Sequence, residues 1–186
     1  GYIVGASGSA AVTIADANAN RPPVFRPIPD RTIFAGQILA FTNSASDPDL
    51  PPQTITFNLV SAPPGMALDE YTGLLRWRPH VAESPMTTQV LLSATDSGSP
   101  GLSVTQSFWI TVNRPAAALE ALSLEPGGFV FRVTGDPGPD LTIQRSADLA
   151  DWIDLLRTNS PALPFDWVDP GAASRDRTFY RIHLTP

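Results

Sequence analysis

Hydrophobic and polar positions alternate with a period of two along most of this chain, and short polar or proline-rich stretches interrupt the alternation. In Thr54–Leu59 the residues Ile55, Phe57 and Leu59 fall on one face. In Thr88–Thr95 they are Val90, Leu92 and Ala94, and in Val104–Val112 they are Phe108, Ile110 and Val112. Ile38–Thr42, Met66–Leu68 and Leu74–Arg78 read as further strands. SASDPDLPP and the EYTG stretch supply turn residues, and prolines at 22, 23, 27 and 29 hold the lead-in extended. After the linker NRPAAA at 113–118, strands are expected at Leu119–Leu124, Phe129–Val133, Leu141–Arg145, Phe165–Val168 and Phe179–Leu184, with DPGPD as a turn. SADLADWIDLLR is ambiguous. Leu149, Trp152, Ile153 and Leu156 fit helical spacing with Ser146 as N-cap, whereas a tight turn at Ala147–Asp151 followed by a strand puts Trp152, Asp154 and Leu156 on one face. We favour the turn and strand. The whole pattern predicts an all-β chain of two tandem antiparallel β-sandwich domains, at 21–114 and 115–186, with an extra N-terminal strand segment at 1–20.

That first segment contains two short extended pieces. Tyr2–Val4 centres on Ile3, and in Ala10–Ala15 the residues Val12 and Ile14 alternate with small or polar neighbours. Neither piece is long enough to fold alone, so each must pair with another sheet. Addition to a second copy of the chain satisfies the free backbone groups and the apolar row of Ile3, Val12 and Ile14. Head-to-tail addition of that kind does not close, and it would give a filament. The alternative is a strand held by its own chain. Gly1 stands where a methionine would begin a nascent chain, so the sequence reads as a processed product or a piece of something longer.

Composition narrows the function. At 186 residues the chain is too long for one sandwich of roughly 100 residues and suits two. It has no cysteine, so disulfides, thiolate metal sites and cysteine nucleophiles are excluded. All 12 basic residues are arginine, which removes Schiff-base and P-loop lysine chemistry. A net charge of −6 argues against nucleic acid, whose binding rests on cationic contacts to phosphate. No run approaches the roughly 20 apolar residues of a membrane-spanning helix. His80 and His183 have no local metal-binding partner, and no nucleophile elbow or phosphate loop is present. Catalysis is therefore not expected.

The most informative polar residues are Asp47 and Asp49 in one turn, Asp96 in another, and Asn18 and Asn20 in the lead-in. Carboxylates and amide oxygens are the donors that calcium takes, six to eight at a time. In a sandwich these loops can open at the end where the chain arrives. Residues 21–114 resemble a cadherin-like domain of the dystroglycan type, also called bacterial putative Ig. The resemblance lies in NRPPVF, SASDPD, ALDEYTGLLRWRP and LLSATDSGSPGLSVTQSFWITV. It implies one calcium held by Asp47, Asp49, Asp96 and Asn18 or Asn20, joined by Asp16. The chain departs from the family at Ala19, where the linker has an aspartate, and at Leu68-Asp69-Glu70, which lacks the family's arginine. The other reading is that these aspartates cap their own turns. Residues 1–20 resemble the last strand of a Calx-beta domain, through SAAVTIAD. Residues 115–186 resemble a small fibronectin-III-like domain of secreted bacterial proteins, through LTIQRSADLADWIDL, FDWVDPGAA and RTFYRIHL.

The tryptophans divide. Trp77, between Arg76 and Arg78, is expected in the core, and Trp152 and Trp167 in core or edge packing. Trp109 is out of phase with Phe108 and Ile110 and is the candidate exposed ligand contact. Arg145 and Arg181 are expected to form cross-strand pairs with acids. Two functions stand. One is a non-catalytic structural or adhesive protein, extracellular or at the cell surface, whose partners are copies of itself or neighbouring domains. The other is an accessory module of a secreted enzyme that binds a polysaccharide through Trp109.

Overall fold

The computed structural model describes residues 19–172 and 177–185. The first sandwich is built from β1 (Val24–Phe25), β2 (Arg31–Phe34), β3 (Leu39–Thr42), β4 (Ala45–Ser46), β5 (Ile55–Ser61), β6 (Ala67–Leu68), β7 (Leu74–Trp77), β8 (Met86–Asp96) and β9 (Ser103–Asn113). One sheet runs β2-β9-β8-β5 and the other β3-β7-β6, with β1 and β4 forming a separate ribbon. The period-two pattern explains the packing, because alternate side chains of a strand point to opposite faces. Val90 and Leu92 of β8 and Phe108, Ile110 and Val112 of β9 meet Leu39, Leu75 and Trp77 of the facing sheet. Trp77 is 3% exposed and its indole N–H donates to the Pro64 carbonyl at 3.0 Å, so the core expectation holds.

Three short strands differ from the sequence reading, and one of them, β4, lies in the SASDPDLPP stretch read as a turn. The proline-rich lead-in is not only extended. It contains β1, which pairs with β4, and β2, which pairs in parallel with β9 from Arg31 opposite Ile110 to Phe34 opposite Asn113. These strands are too short to show alternation, and their partners are distant in sequence.

The second sandwich contains β10 (Ala117–Glu125), β11 (Gly128–Gly135), β12 (Asp140–Ser146), β13 (Ile153–Thr158), β14 (Phe165–Asp169) and β15 (Phe179–Thr185). Its sheets run β10-β11-β14 and β13-β12-β15. Phe131 and Val133 pack against Leu141 and Ile143, with Trp167 lying 5.2 Å from Phe131. The ambiguous stretch is a turn and then a strand. Ser146 Oγ accepts from the N–H groups of Asp148 and Leu149, and Asp148 Oδ1 accepts from those of Ala150 and Asp151. The expected common face of Trp152, Asp154 and Leu156 does not form, because a bulge breaks the alternation. Leu156 pairs with Ile143 and faces the core, while Asp154 pairs with Gln144 and faces out. Trp152 is half-buried under the Arg181 guanidinium, 4.0 Å from its ring centre.

Of the two arginines expected to pair with acids across strands, Arg145 does so and Arg181 does not. Arg181 donates to Gln144, an amide rather than an acid. Arg145 on β12 pairs with Asp169 at the end of β14, so this ion pair ties one sheet of the sandwich to the other. Asp169 is 2% exposed. Burial pushes its carboxyl up, but donors from Tyr180, Arg145 and the Gly171 N–H outweigh burial and hold it below the ordinary carboxylate value.

The two sandwiches touch. Arg78, just past β7, donates through Nε to the Gly36 carbonyl at 2.6 Å. Its Nη2 reaches Gly138 O at 3.0 Å, Asp140 at 2.7 Å and Ser160 Oγ at 3.0 Å in the second sandwich. Gly36 and Gly138 lie at this contact with φ of +85° and +117°. A Cβ on Gly36 would come within 2.6 Å of Pro139 Cα, so only glycine permits this approach.

Candidate functional site

The loops expected to hold calcium do meet the arriving chain. Asp96 at the end of β8 is buried, and its Oδ1 accepts from the N–H groups of Gly98 and Leu102 at 3.0 and 2.9 Å. Asn20 turns its amide nitrogen toward both Asp96 oxygens, at 3.2 and 3.3 Å, and toward Pro100 O at 2.8 Å. Asp47 Oδ1 accepts from the N–H groups of Asp49 and Gln53. Asp49 accepts from the Arg21 N–H at 2.9 Å and from Arg21 Nε at 2.8 Å. The Arg21 guanidinium also contacts the Pro48 carbonyl. Gln53 Nε2 bridges Asn20 Oδ1 and Asp49.

The electrostatics follow from these donors. The Arg21 N–H and then its guanidinium hold Asp49 below the ordinary carboxylate range. Burial raises Asp96, but the N–H groups of Leu102 and Gly98 and the Asn20 amide outweigh it, so its net shift is also downward. Thus Asp49 and Asp96 are satisfied as anions by groups of the chain itself.

Donors of the chain itself thus take up the carboxylates of Asp49 and Asp96. Among the described residues no group of three or more His, Cys, Asp or Glu could hold a metal ion. Two buried oxygens of the cluster, Asp47 Oδ2 and Gln53 Oε1, lack a hydrogen-bond partner. Asp49 already faces a guanidinium, and Asn20 presents a donor to Asp96. Asp16 and Asn18, expected in the same set, lie outside the described residues, as do Ile3, Val12 and Ile14 of the expected assembly strand.

Trp109 is 47% exposed on β9, on the face opposite the core. Gln89 of β8 lies directly opposite it, and its own N–H donates to Asp30 at 2.8 Å. Sequence reasoning overlooked Arg21 and Gln53. The signal for Arg21 was its place directly after Asn20, where a fixed cation can meet an acidic loop.

Residues 22–113 match the family model described as Putative Ig domain. The chain is similar to the protocadherin GammaB4 extracellular domain, at 29% identity and TM-score 0.43, over 65% of this chain and 22% of that one. It is similar to protocadherin Gamma B7 extracellular cadherin domains 1–4, at 22% identity and TM-score 0.40, over 77% of this chain and 42% of that one. The chain thus spans less than half the length of either. No curated protein matches it. Among the described residues no helix is long and apolar enough to cross a membrane.

Proposed function

We propose that this chain is a non-catalytic spacer of an extracellular structural or adhesive protein, in which two sandwiches are locked at a set angle. The Arg78 contact carries the reading. One guanidinium bonds to a carbonyl of its own sandwich and to three groups of the next. Its side chain is 29% exposed and that of Asp140 is 24%, so the pair is partly shielded from water. Charge-assisted hydrogen bonds of this kind contribute about 1.5–3 kcal/mol, enough to bias a domain contact strongly. The Ig-like family match supports an adhesive or structural setting. Self-assembly by strand donation from residues 1–16 belongs to the same reading and is supported by the sequence pattern alone. In this reading the lead-in joint is held by Asn20 and Arg21 and works without calcium.

Small-angle scattering on the whole chain tests the lock. The intact protein is expected to fit a single conformation, and Arg78→Ala a broad range of inter-sandwich angles. A flexible pair already in the intact protein would overturn the reading.

A further inference from the structure

The second sandwich is open along one side. β15 pairs with β12 from Phe179 opposite Ser146 to Thr185 opposite Asp140 without a register shift, and among the described residues its other edge carries no strand. An unpaired edge of seven residues is a template for another strand, because its outward N–H and C=O groups have no ladder partner. Tyr180, Ile182 and Leu184 of β15 pack against the core yet are only half-buried, whereas Leu141 and Ile143 of β12 beside them are closed to solvent. The facing edge strand, β10, shows the same deficit. Leu124 stands directly opposite Phe129, and Ala121 opposite Phe131, so both lie on the core face. Leu124 is nevertheless 69% exposed, and Ala121 is exposed as well. Phe129 stacks on Tyr180 at 5.8 Å, and β10 lies one strand further out on the β15 side, so Leu124 hangs over the space beside β15.

We propose that this edge accepts residues 10–15 of a second copy, added as a further strand beside β15. The inference rests on the strand-donation reading and names the surface that receives the strand. In AAVTIA the apolar row of Val12 and Ile14 falls on one side and fills the space bounded by Ile182, Leu184, Ala121 and Leu124. Ala11, Thr13 and Ala15 on the other side bring no charge against Arg181 and His183. The donor is not the chain's own segment. Asn20 is fixed at the Asp96 end of β8, where it donates to Asp96 and Pro100. β15 packs against the short 3-10 turn Val81–Glu83, just before the Met86 end of the same strand. Eleven residues of strand separate these ends, roughly 33 Å. Ala15 lies five residues before Asn20 and reaches at most about 18 Å from it. The strand therefore comes from another molecule, and head-to-tail addition continues into a filament. Other edges suit it less. On β5 the Phe57 N–H is already taken by Glu70 O, and β13 carries a bulge.

Because the chain has no cysteine, disulfide trapping on the whole protein tests this directly. Thr13→Cys is combined with His183→Cys or Thr185→Cys on the outer face of β15, and in controls with Asn58→Cys on β5 or Val168→Cys on β14. In a glutathione redox buffer, linkage at the β15 positions is expected to exceed that at the controls about tenfold, with mass spectrometry showing position 13 joined to 183 or 185. Val12→Asp puts a charge into the apolar row and should abolish the linkage. Calorimetry gives a second readout. A donated strand stabilises the second sandwich alone, so its melting midpoint should rise by about 5–10 °C for each tenfold rise in concentration above the dissociation constant, while that of the first stays constant. Linkage at Asn58 or Val168 equal to or above that at β15, or a concentration-dependent midpoint in the first sandwich, would overturn the β15 assignment and leave strand donation standing. A monomer at every concentration, with no linkage at any position, would overturn both.

Discussion

Replacing Asp169 by alanine gives the sharpest test of how the second sandwich holds together. Asp169 accepts from Arg145 on both oxygens at 2.9 Å, from Tyr180 at 2.8 Å and from the Gly171 N–H at 2.9 Å. The Arg145 side chain is 14% exposed and that of Asp169 is 3%, so little solvent screens the pair. Removing one partner of such a pair costs roughly 3–5 kcal/mol, because the other charge stays buried. We take the lower end, about 3 kcal/mol, since Arg145 keeps some contact with water. A domain of about 70 residues has a total stability of only about 4–10 kcal/mol. The midpoint of its melting should therefore fall by about 12–24 °C. Tryptophan fluorescence with calorimetry separates the two transitions, because Trp167 reports the second core and Trp77 the first. Arg145→Met with Asp169→Leu should recover much of the loss, since an apolar pair needs no partners. The pH dependence has a fixed sign. The folded-state value of Asp169 is lowered from 3.8, so its contribution is complete above about pH 5 and is lost as the pH falls through the folded value. A fall of less than about 4 °C in Asp169→Ala, or an equal fall in the first sandwich's transition, would refute the reasoning.

Two further outcomes are expected. Melting of the first sandwich should be the same in calcium and in chelator, whereas Arg21→Ala should lower its midpoint and make it respond to calcium, because Asp49 loses its fixed cation; a calcium shift in the intact protein would contradict this. Sedimentation velocity over a range of concentrations should show species larger than a dimer for the whole chain and a monomer after deletion of residues 1–19; a monomer in both would end the strand-donation proposal.

The strands with long alternating runs were legible in the sequence because each has one buried and one open face. Phe108, Ile110 and Val112 show this most plainly. The strands that escaped were β1, β2 and β4, which are two to four residues long and pair across the fold. Proline masked them further. The bulge opposite Ile143 was also invisible, since one skipped residue reverses a face without altering composition. Of the candidate calcium set, the meeting of Asn20 with Asp96 and of the lead-in with Asp49 followed from loop placement. Which atoms face each other did not, because Asn20 could turn either end of its amide to Asp96.

The parallel pairing of β2 with β9 has a mechanical consequence. After the β1 ribbon the chain enters the four-stranded sheet of the first sandwich through β2 and leaves it through β9, and the two run in the same direction. Tension on the chain therefore pulls β2 backward and β9 forward along one axis. The ladder from Arg31 to Phe34 is loaded lengthwise, so its bonds must yield together. Two antiparallel terminal strands would instead peel apart one bond at a time. A chain drawn from both ends gains its resistance from this geometry, at four residue pairs.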